Sequence, residues 1–351
     1  MPETDVFTKN YISQNEIFAD VFNFFIYNGR RVIKPESLKD ENTEESTIFF
    51  IDGKKTETAQ RYRDVLKSCV VKRGKHASYV LLGIENQSMI HHAMPVKVAV
   101  YDMLQYDGQV KKIASEHKQN KDKMSGGEYL SGFTKSDKLI PVITLVIYFG
   151  SEKWDAPTSL YEMFDFNEEN KDFMPFVQDY KINLIQPAAL TDEELKKFAT
   201  DFSQVMKFLK YSNDKQKMRE LLREDSSYEN ISTQAALVLK SCANIGIKIN
   251  QKEEETNMCR AIQELQDEAV EKAVRKEREL QQEAVGIAVA ETVKKEREKQ
   301  QEAVKETALN SLLRTAKALM KNLSWSADQA LSAMNASESE RAVLKPMLQT
   351  Q

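Results

Sequence analysis

Hydrophobic positions follow a short, strand-like rhythm in the first half of this chain and a purely helical one after it. Residues 79–87, Tyr79-Val80-Leu81-Leu82-Gly83-Ile84-Glu85-Asn86-Gln87, are apolar for most of their length and then end on a carboxylate and two amides. That is the pattern of a buried strand with chemistry at its tip. Residues 62–71 read as a second strand, and the stretch between them, with Gly74 and several charges, reads as a turn, so the two should form a hairpin. Residues 139–149 are almost continuously apolar at strand length, which predicts a central strand covered by helices on both faces. Shorter strands are expected at 47–51 and at 180–187, the latter stopped by Pro187.

Helices are interleaved with these strands. Residues 16–27 place Phe18, Val21, Phe22 and Phe25 at helical spacing, with Glu16, Asp20 and Asn23 on the other side. Residues 96–107 follow Pro95 and bury a stripe of Val96, Val100, Met103 and Leu104, while Lys97, Tyr101 and Gln105 share another face. The polar, lysine-bearing stretch 108–132, with Gly126-Gly127, reads as a mobile surface excursion. Gly150, Trp154 and Pro157 mark a turn into a loop and a short helix. From Thr191 the pattern is helical only. Thr191 and Glu194 form a capping box that opens a helix burying Leu195, Phe198, Phe202, Val205, Met206 and Leu209, and further helices are expected at 214–224 and 234–243.

The last part of the chain is of another kind. Ala273-Val274-Arg275-Lys276-Glu277-Arg278-Glu279 recurs nineteen residues later as Thr292-Val293-Lys294-Lys295-Glu296-Arg297-Glu298. Nineteen is not a whole number of heptads and the Ala/Val stripe is thin, so a long, charge-laced helix fits better than a regular coiled coil. Homo-oligomerisation through its small apolar residues is the partner expectation for this segment. Residues 325–348 read as a helical hairpin turning at Asn335-Ala336-Ser337. The expected division is therefore a domain over 1–250, its helical layer at 191–250, a long helix over 251–321 and a small hairpin at 322–351.

Composition narrows the function. The formal net charge of the 351 residues is -4, so the protein as a whole offers no attraction to a polyanion. Between Lys54 and His76, however, eight Lys or Arg stand against two acids, which reads either as the charged tips of a solvated hairpin or as a local basic surface for a nucleic acid. Cys69, Cys242 and Cys259 form neither a Cys-x-x-Cys pair nor a disulfide framework, no basic-then-apolar leader opens the chain, and no apolar run reaches membrane-spanning length. A cytoplasmic, soluble protein is expected.

The hairpin carries the chemistry. Glu85 and Gln87 project to one face of their strand, and antiparallel pairing would bring Asp64 level with Glu85. Two carboxylates and an amide at one sheet end suit a hard cation such as Mg²⁺, which binds oxygen and keeps water or phosphate ligands.

An acid, a hairpin, then Glu-x-(Lys or Gln) is also the skeleton of the PD-(D/E)XK nucleases. With Arg63-Asp64-Val65-Leu66-Lys67, Leu82-Gly83-Ile84-Glu85-Asn86-Gln87, Ile90-His91-His92-Ala93-Met94-Pro95-Val96-Lys97, Tyr101-Asp102 and Ile140-Pro141-Val142, followed by Trp154-Asp155-Ala156-Pro157, the chain closely resembles the Rpn family of bacterial recombination-promoting nucleases, also described as transposases. The resemblance implies an α/β, restriction-endonuclease-like core with a mixed sheet flanked by helices, then an all-helical region and the long charged helix. It implies a Mg²⁺-dependent endonuclease, with Mn²⁺ as the alternative ion, acting on DNA in recombination or mobile-element activity. Asp64 and Glu85 would hold the metal, with Asp20 or Glu16 from the first core helix; Arg63, Lys97 and Tyr101 would contact substrate. Gln87 stands where the usual motif has a lysine, and an amide orients water but brings no charge. Against the nuclease stand a catalytically weak DNA-binding or oligomeric scaffold acting through the helical tail, and an adaptor docking that tail on a partner helix.

Overall fold

The computed structural model describes residues 3–42, 44–51, 54–62, 64–73 and 76–349, with side chains outside 43–63 and 72–77. It divides into two compact units, Met1–Gln266 and Asp267–Gln351.

The first unit opens with α1 (Glu3–Ile12), which the sequence reading missed, and α2 (Asn15–Tyr27). Strand β1 (Leu38–Asp40) precedes a separate two-stranded hairpin of β2 (Glu44–Ile51) and β3 (Lys54–Tyr62). The expected hairpin follows as β4 (Val65–Arg73) and β5 (His76–Gln87), so Tyr62 closes the earlier strand instead of opening this one. Helix α3 (Met94–Asn120), α4 (Gly127–Ser131), β6 (Val142–Tyr148) and β7 (Asn183–Ile185) complete the sheet region. The main sheet runs β1-β4-β5-β6-β7; β4 is antiparallel to β1 and β5, whereas β6 is parallel to β5 and β7.

Side-chain alternation assigns the two faces. Val65, Cys69, Leu82, Ile84, Leu145, Ile147 and Ile185 point into the main core with Tyr11, Ile12, Phe18 and Phe22 of α1 and α2. Each such fully buried apolar side chain contributes about 2 kcal/mol. Val146 and Tyr148 point the other way, against Met94 and Val98 of α3 and Trp154. Helices thus cover both faces, as the continuous apolar run of β6 requires.

Helical elements close this unit: α5 (Asp192–Leu195), α6 (Phe202–Tyr211), α7 (Lys215–Glu224), the short pair β8 (Ile231–Ser232) and β9 (Glu255–Thr256) around α8 (Thr233–Cys242), and the start of α9 (Met258–Leu323). Three expectations change here. The polar side of α2 is exposed at Glu16 alone: Asp20 and Asn23 are buried, while Phe25 is exposed. Asn23 compensates by accepting from Val32 and Ile33 N–H at 3.0 and 2.8 Å and donating to the Ile33 carbonyl at 2.8 Å. The helix expected from Thr191 breaks between Leu195 and Phe202, where the Ala199 and Thr200 N–H groups bond to Asp20 at 2.9 Å.

Nor is 108–132 a free excursion. Helix α3 continues to Asn120, and the returning chain is tied along it. Gln109 exchanges two hydrogen bonds with Ile140, Tyr106 OH accepts from Val142 N–H at 3.0 Å, and His117 bridges Asp122 and Asp137. Gly132 lies in the left-handed region at φ 67°, where a Cβ would stand 2.6 Å from that of Ala114.

In the second unit, α10 (Ala327–Ala333) and α11 (Glu338–Gln349) pack Ala330, Leu331, Leu344 and Leu348 around Leu312, Leu313 and Ala316 of α9. Asn335, at φ 52°, turns between them as expected. The duplicated segment, 273–285 and 292–304, leaves Val274, Val285, Val293 and Val304 exposed. Among the described residues no helix is long and apolar enough to cross a membrane.

Candidate active site

The β4–β5 register sets the site. Val65 pairs with Ile84, so Asp64, the residue before β4, comes level with Glu85 on the same face, and the Asn86 N–H donates to Asp64 Oδ2 at 2.9 Å. Because β5 also pairs with β6 on its other side, this end of it is enclosed, and Glu85 is fully buried. A buried carboxylate demands a counter-charge. Lys97 provides it from α3, its Nζ 2.9 Å from Glu85 Oε2.

The electrostatics follow from crowding. Burial raises the Asp64 carboxyl above its ordinary value, opposed by the Asn86 N–H, Lys97 and Lys9 and reinforced by Asp5. Burial works against the Lys97 ammonium too, yet Glu85, Tyr101 and Asp64 together outweigh it and raise Lys97. Both carboxylates and Tyr101 therefore bear on one lysine.

The sequence-predicted residues divide. Asp64, Glu85, Lys97 and Tyr101 come together. Gln87 lies on the same strand face, with its Nε2 donating to the Asn86 carbonyl at 2.7 Å. Arg63 lies outside the described residues. Asp20 is engaged elsewhere, its carboxylate accepting from Ala199, Thr200 N–H and the Thr200 hydroxyl, so it braces the α5–α6 turn; Glu16 lies by Asp20, Arg31 and Lys34 along a separate hollow of about 380 Å³. Lys67, on the opposite face, is buried against Asp40 at 2.5 Å and Asn15 at 2.8 Å.

The helix that does approach Asp64 is α1. Asp5, which accepts from Ser88 Oγ at 3.3 Å, and Lys9 both act on the Asp64 charge. Their signal was Phe7/Tyr11 and Thr8/Ile12 at helical spacing, with acids in the first turn and a lysine in the last.

Among the described residues no group of three or more His, Cys, Asp or Glu converges as a metal cage. The donor set here is two carboxylates, which fits Mg²⁺, an ion that takes one or two carboxylates and completes its shell with water and phosphate, and does not fit an ion needing a full protein cage.

A mixed five-stranded sheet with paired acids and a helix-borne lysine at one strand end defines an α/β protein with an enzyme-like polar site. The chain belongs to the family described as "Putative transposase, YhgA-like", whose model matches residues 5–234, which bears out the resemblance drawn from the sequence. No curated protein and no solved structure matches the chain.

Proposed function

We propose that the chain is a metal-dependent DNA endonuclease with a PD-(D/E)XK-type site, serving recombination or transposition. The observation that carries this reading is the Asp64–Glu85 pair on one face with Lys97 2.9 Å from Glu85. Membership of the transposase family supports DNA as substrate.

Asp64 and Glu85 would hold Mg²⁺, which when bound supplies an activated water and charge neutralisation at phosphate. Gln87 orients water on the shared face through its amide. Lys97 supplies, from α3, the positive charge that a lysine at position 87 would bring in the usual motif. It balances Glu85 in the closed site and stands ready to stabilise charge growing on the phosphate. Tyr101 sits one helical turn along the same face and bears on the Lys97 charge.

Cleavage of supercoiled plasmid tests the reading. Mg²⁺-dependent nicking, abolished by chelator and by Glu85→Ala in a folded protein, is expected. Absence of cleavage by the native chain with Mg²⁺ or Mn²⁺, on duplex and single-stranded DNA alike, would refute it.

A further inference from the structure

Helix α3 carries two adjacent stripes. Met94, Val98, Asp102, Tyr106 and Gln109 dock it onto β6 and the chain leading into β6, while Lys97, Tyr101 and Gln105, each a few residues displaced, belong to the face that includes the Glu85 ion pair. Both stripes ride on one rigid rod, so the fit of the first fixes the position of the second. A slip of one residue along the axis moves Lys97 by about 1.5 Å, enough to break a 2.9 Å contact.

Met94 and Val98 contribute apolar contact, which is non-directional and tolerates sliding. Asp102 is different. It is a buried acid in the docking stripe, and its two oxygens are held from separate segments: Thr144 Oγ1 of β6 donates to Oδ1 at 2.6 Å, and the Tyr180 hydroxyl, just ahead of β7, donates to Oδ2. Thr144 is itself fixed to β7, its carbonyl accepting from Asn183 Nδ2 at 2.9 Å. Its strand partner is Gly83, two residues before Glu85 on the same face. Two directional, charge-assisted bonds thus join α3 to the strands beside the site.

We infer that Asp102 is a positioning residue: clamped between Thr144 and Tyr180, it sets the axial and rotational register of α3 that delivers Lys97 to Glu85. This rests on the proposed nuclease reading for its purpose, although the positioning itself does not depend on DNA cleavage. Asp102 acts through Lys97 and touches neither metal nor phosphate.

The test reads Lys97 directly. Acetic anhydride labelling followed by mass spectrometry compares the Lys97 rate with that of the exposed Lys181 in the full chain. Lys97 should react slowly in the native protein and lose that protection in Asp102→Ala, approaching the Lys181 rate. Asp102→Asn keeps an acceptor for Thr144 and should rescue part of the protection; Tyr180→Phe, which removes one donor without altering charge, should fall between. Tyr106→Phe removes a tie farther along α3 and should lower stability with Lys97 still protected. Folded Asp102→Ala, Asp102→Asn and Tyr180→Phe proteins with Lys97 as slow as native would overturn the inference, as would equal deprotection in Tyr106→Phe. If the native chain nicks plasmid, Asp102→Ala should lower kcat on the order of 10²-fold with KM little changed. A native chain that cuts nothing would refute the nuclease reading, and the labelling would still decide the role of Asp102.

Discussion

Replacing Lys97 by Met keeps an unbranched, flexible side chain of similar size and removes the ammonium with its charge and donors. Glu85 would then be a fully buried carboxylate without the ammonium now 2.9 Å away. Removing one partner of a buried pair costs about 3 to 5 kcal/mol, and because the Lys97 side chain is 26 % exposed and partly hydrated, the lower end, about 3 kcal/mol, applies. Glu85→Gln in the same protein removes the charge that needs balancing, so Lys97→Met on that background should cost under about 1 kcal/mol. The double-mutant cycle should therefore show a coupling of about 2 kcal/mol, measured by urea unfolding followed by a probe in the first unit. Additive effects, or a Lys97→Met protein within about 0.5 kcal/mol of native, would show that the ion pair does not hold the buried acid and would remove the basis for giving Lys97 the work of the missing lysine.

Two further outcomes follow from the same geometry. Asp20→Asn keeps one acceptor oxygen and turns an amide toward N–H donors of Ala199 and Thr200, so it should lower stability by about 2 to 3 kcal/mol in urea while the metal dependence of nicking stays unchanged; lost metal dependence at native stability would restore Asp20 to the metal site. The third concerns pH. His117 meets a carboxylate at each ring nitrogen, Asp122 at 2.7 Å and Asp137 at 2.8 Å, an arrangement that needs both nitrogens protonated. The hydrogen bonds its ring donates to Asp122 and Asp137 raise its pKa above the ordinary histidine value, so its stabilisation is complete below that value and is lost as pH rises through the raised one. The Thr134 N–H, His117 and the Thr134 hydroxyl lower Asp137, whose contribution is present above the ordinary carboxyl value and lost as acid takes pH through the lowered one. Tryptic cleavage at Lys121, Lys123, Lys135 and Lys138 should accordingly accelerate above the histidine transition followed by NMR; cleavage independent of that transition would refute the brace.

What the sequence made legible, and what it did not, separates along a physical line. The Asp64–Glu85 pairing could be read because alternation along a strand and a short turn leave few registers, and one slip would have turned Glu85 into the opposite core. Helical spacing likewise fixed that Lys97, Tyr101 and Gln105 share a face, but not which face is covered: the expected buried stripe leaves Val96 and Met103 exposed, and Met94, Val98, Tyr101 and Asp102 are buried instead. The place of Asp20 was not legible because its three candidate roles look alike along the chain: a carboxylate on a helix can face solvent, a metal or a distant turn, and its partners Ala199 and Thr200 are about 180 positions away. The acids and lysine of α1 were missed since Phe7, Thr8, Tyr11 and Ile12 form a weak stripe in a short helix whose stability comes from tertiary packing.

Gln87 shows how the two kinds of information combine. Read locally, the Gln87 amide gives its strand end no positive charge, and Lys67 of the paired strand is buried on the far face with Asp40. Among the described residues, the docking of α3, through Asp102 and the apolar contacts of Met94 and Val98, brings the Lys97 cation, from ten residues beyond Gln87, to Glu85. A charge carried on a helix instead of the strand depends on that helix holding its register. On the proposed nuclease reading, a Gln87→Lys protein, with a second ammonium beside Glu85, should therefore lessen the dependence of cleavage on Lys97 and Asp102 together.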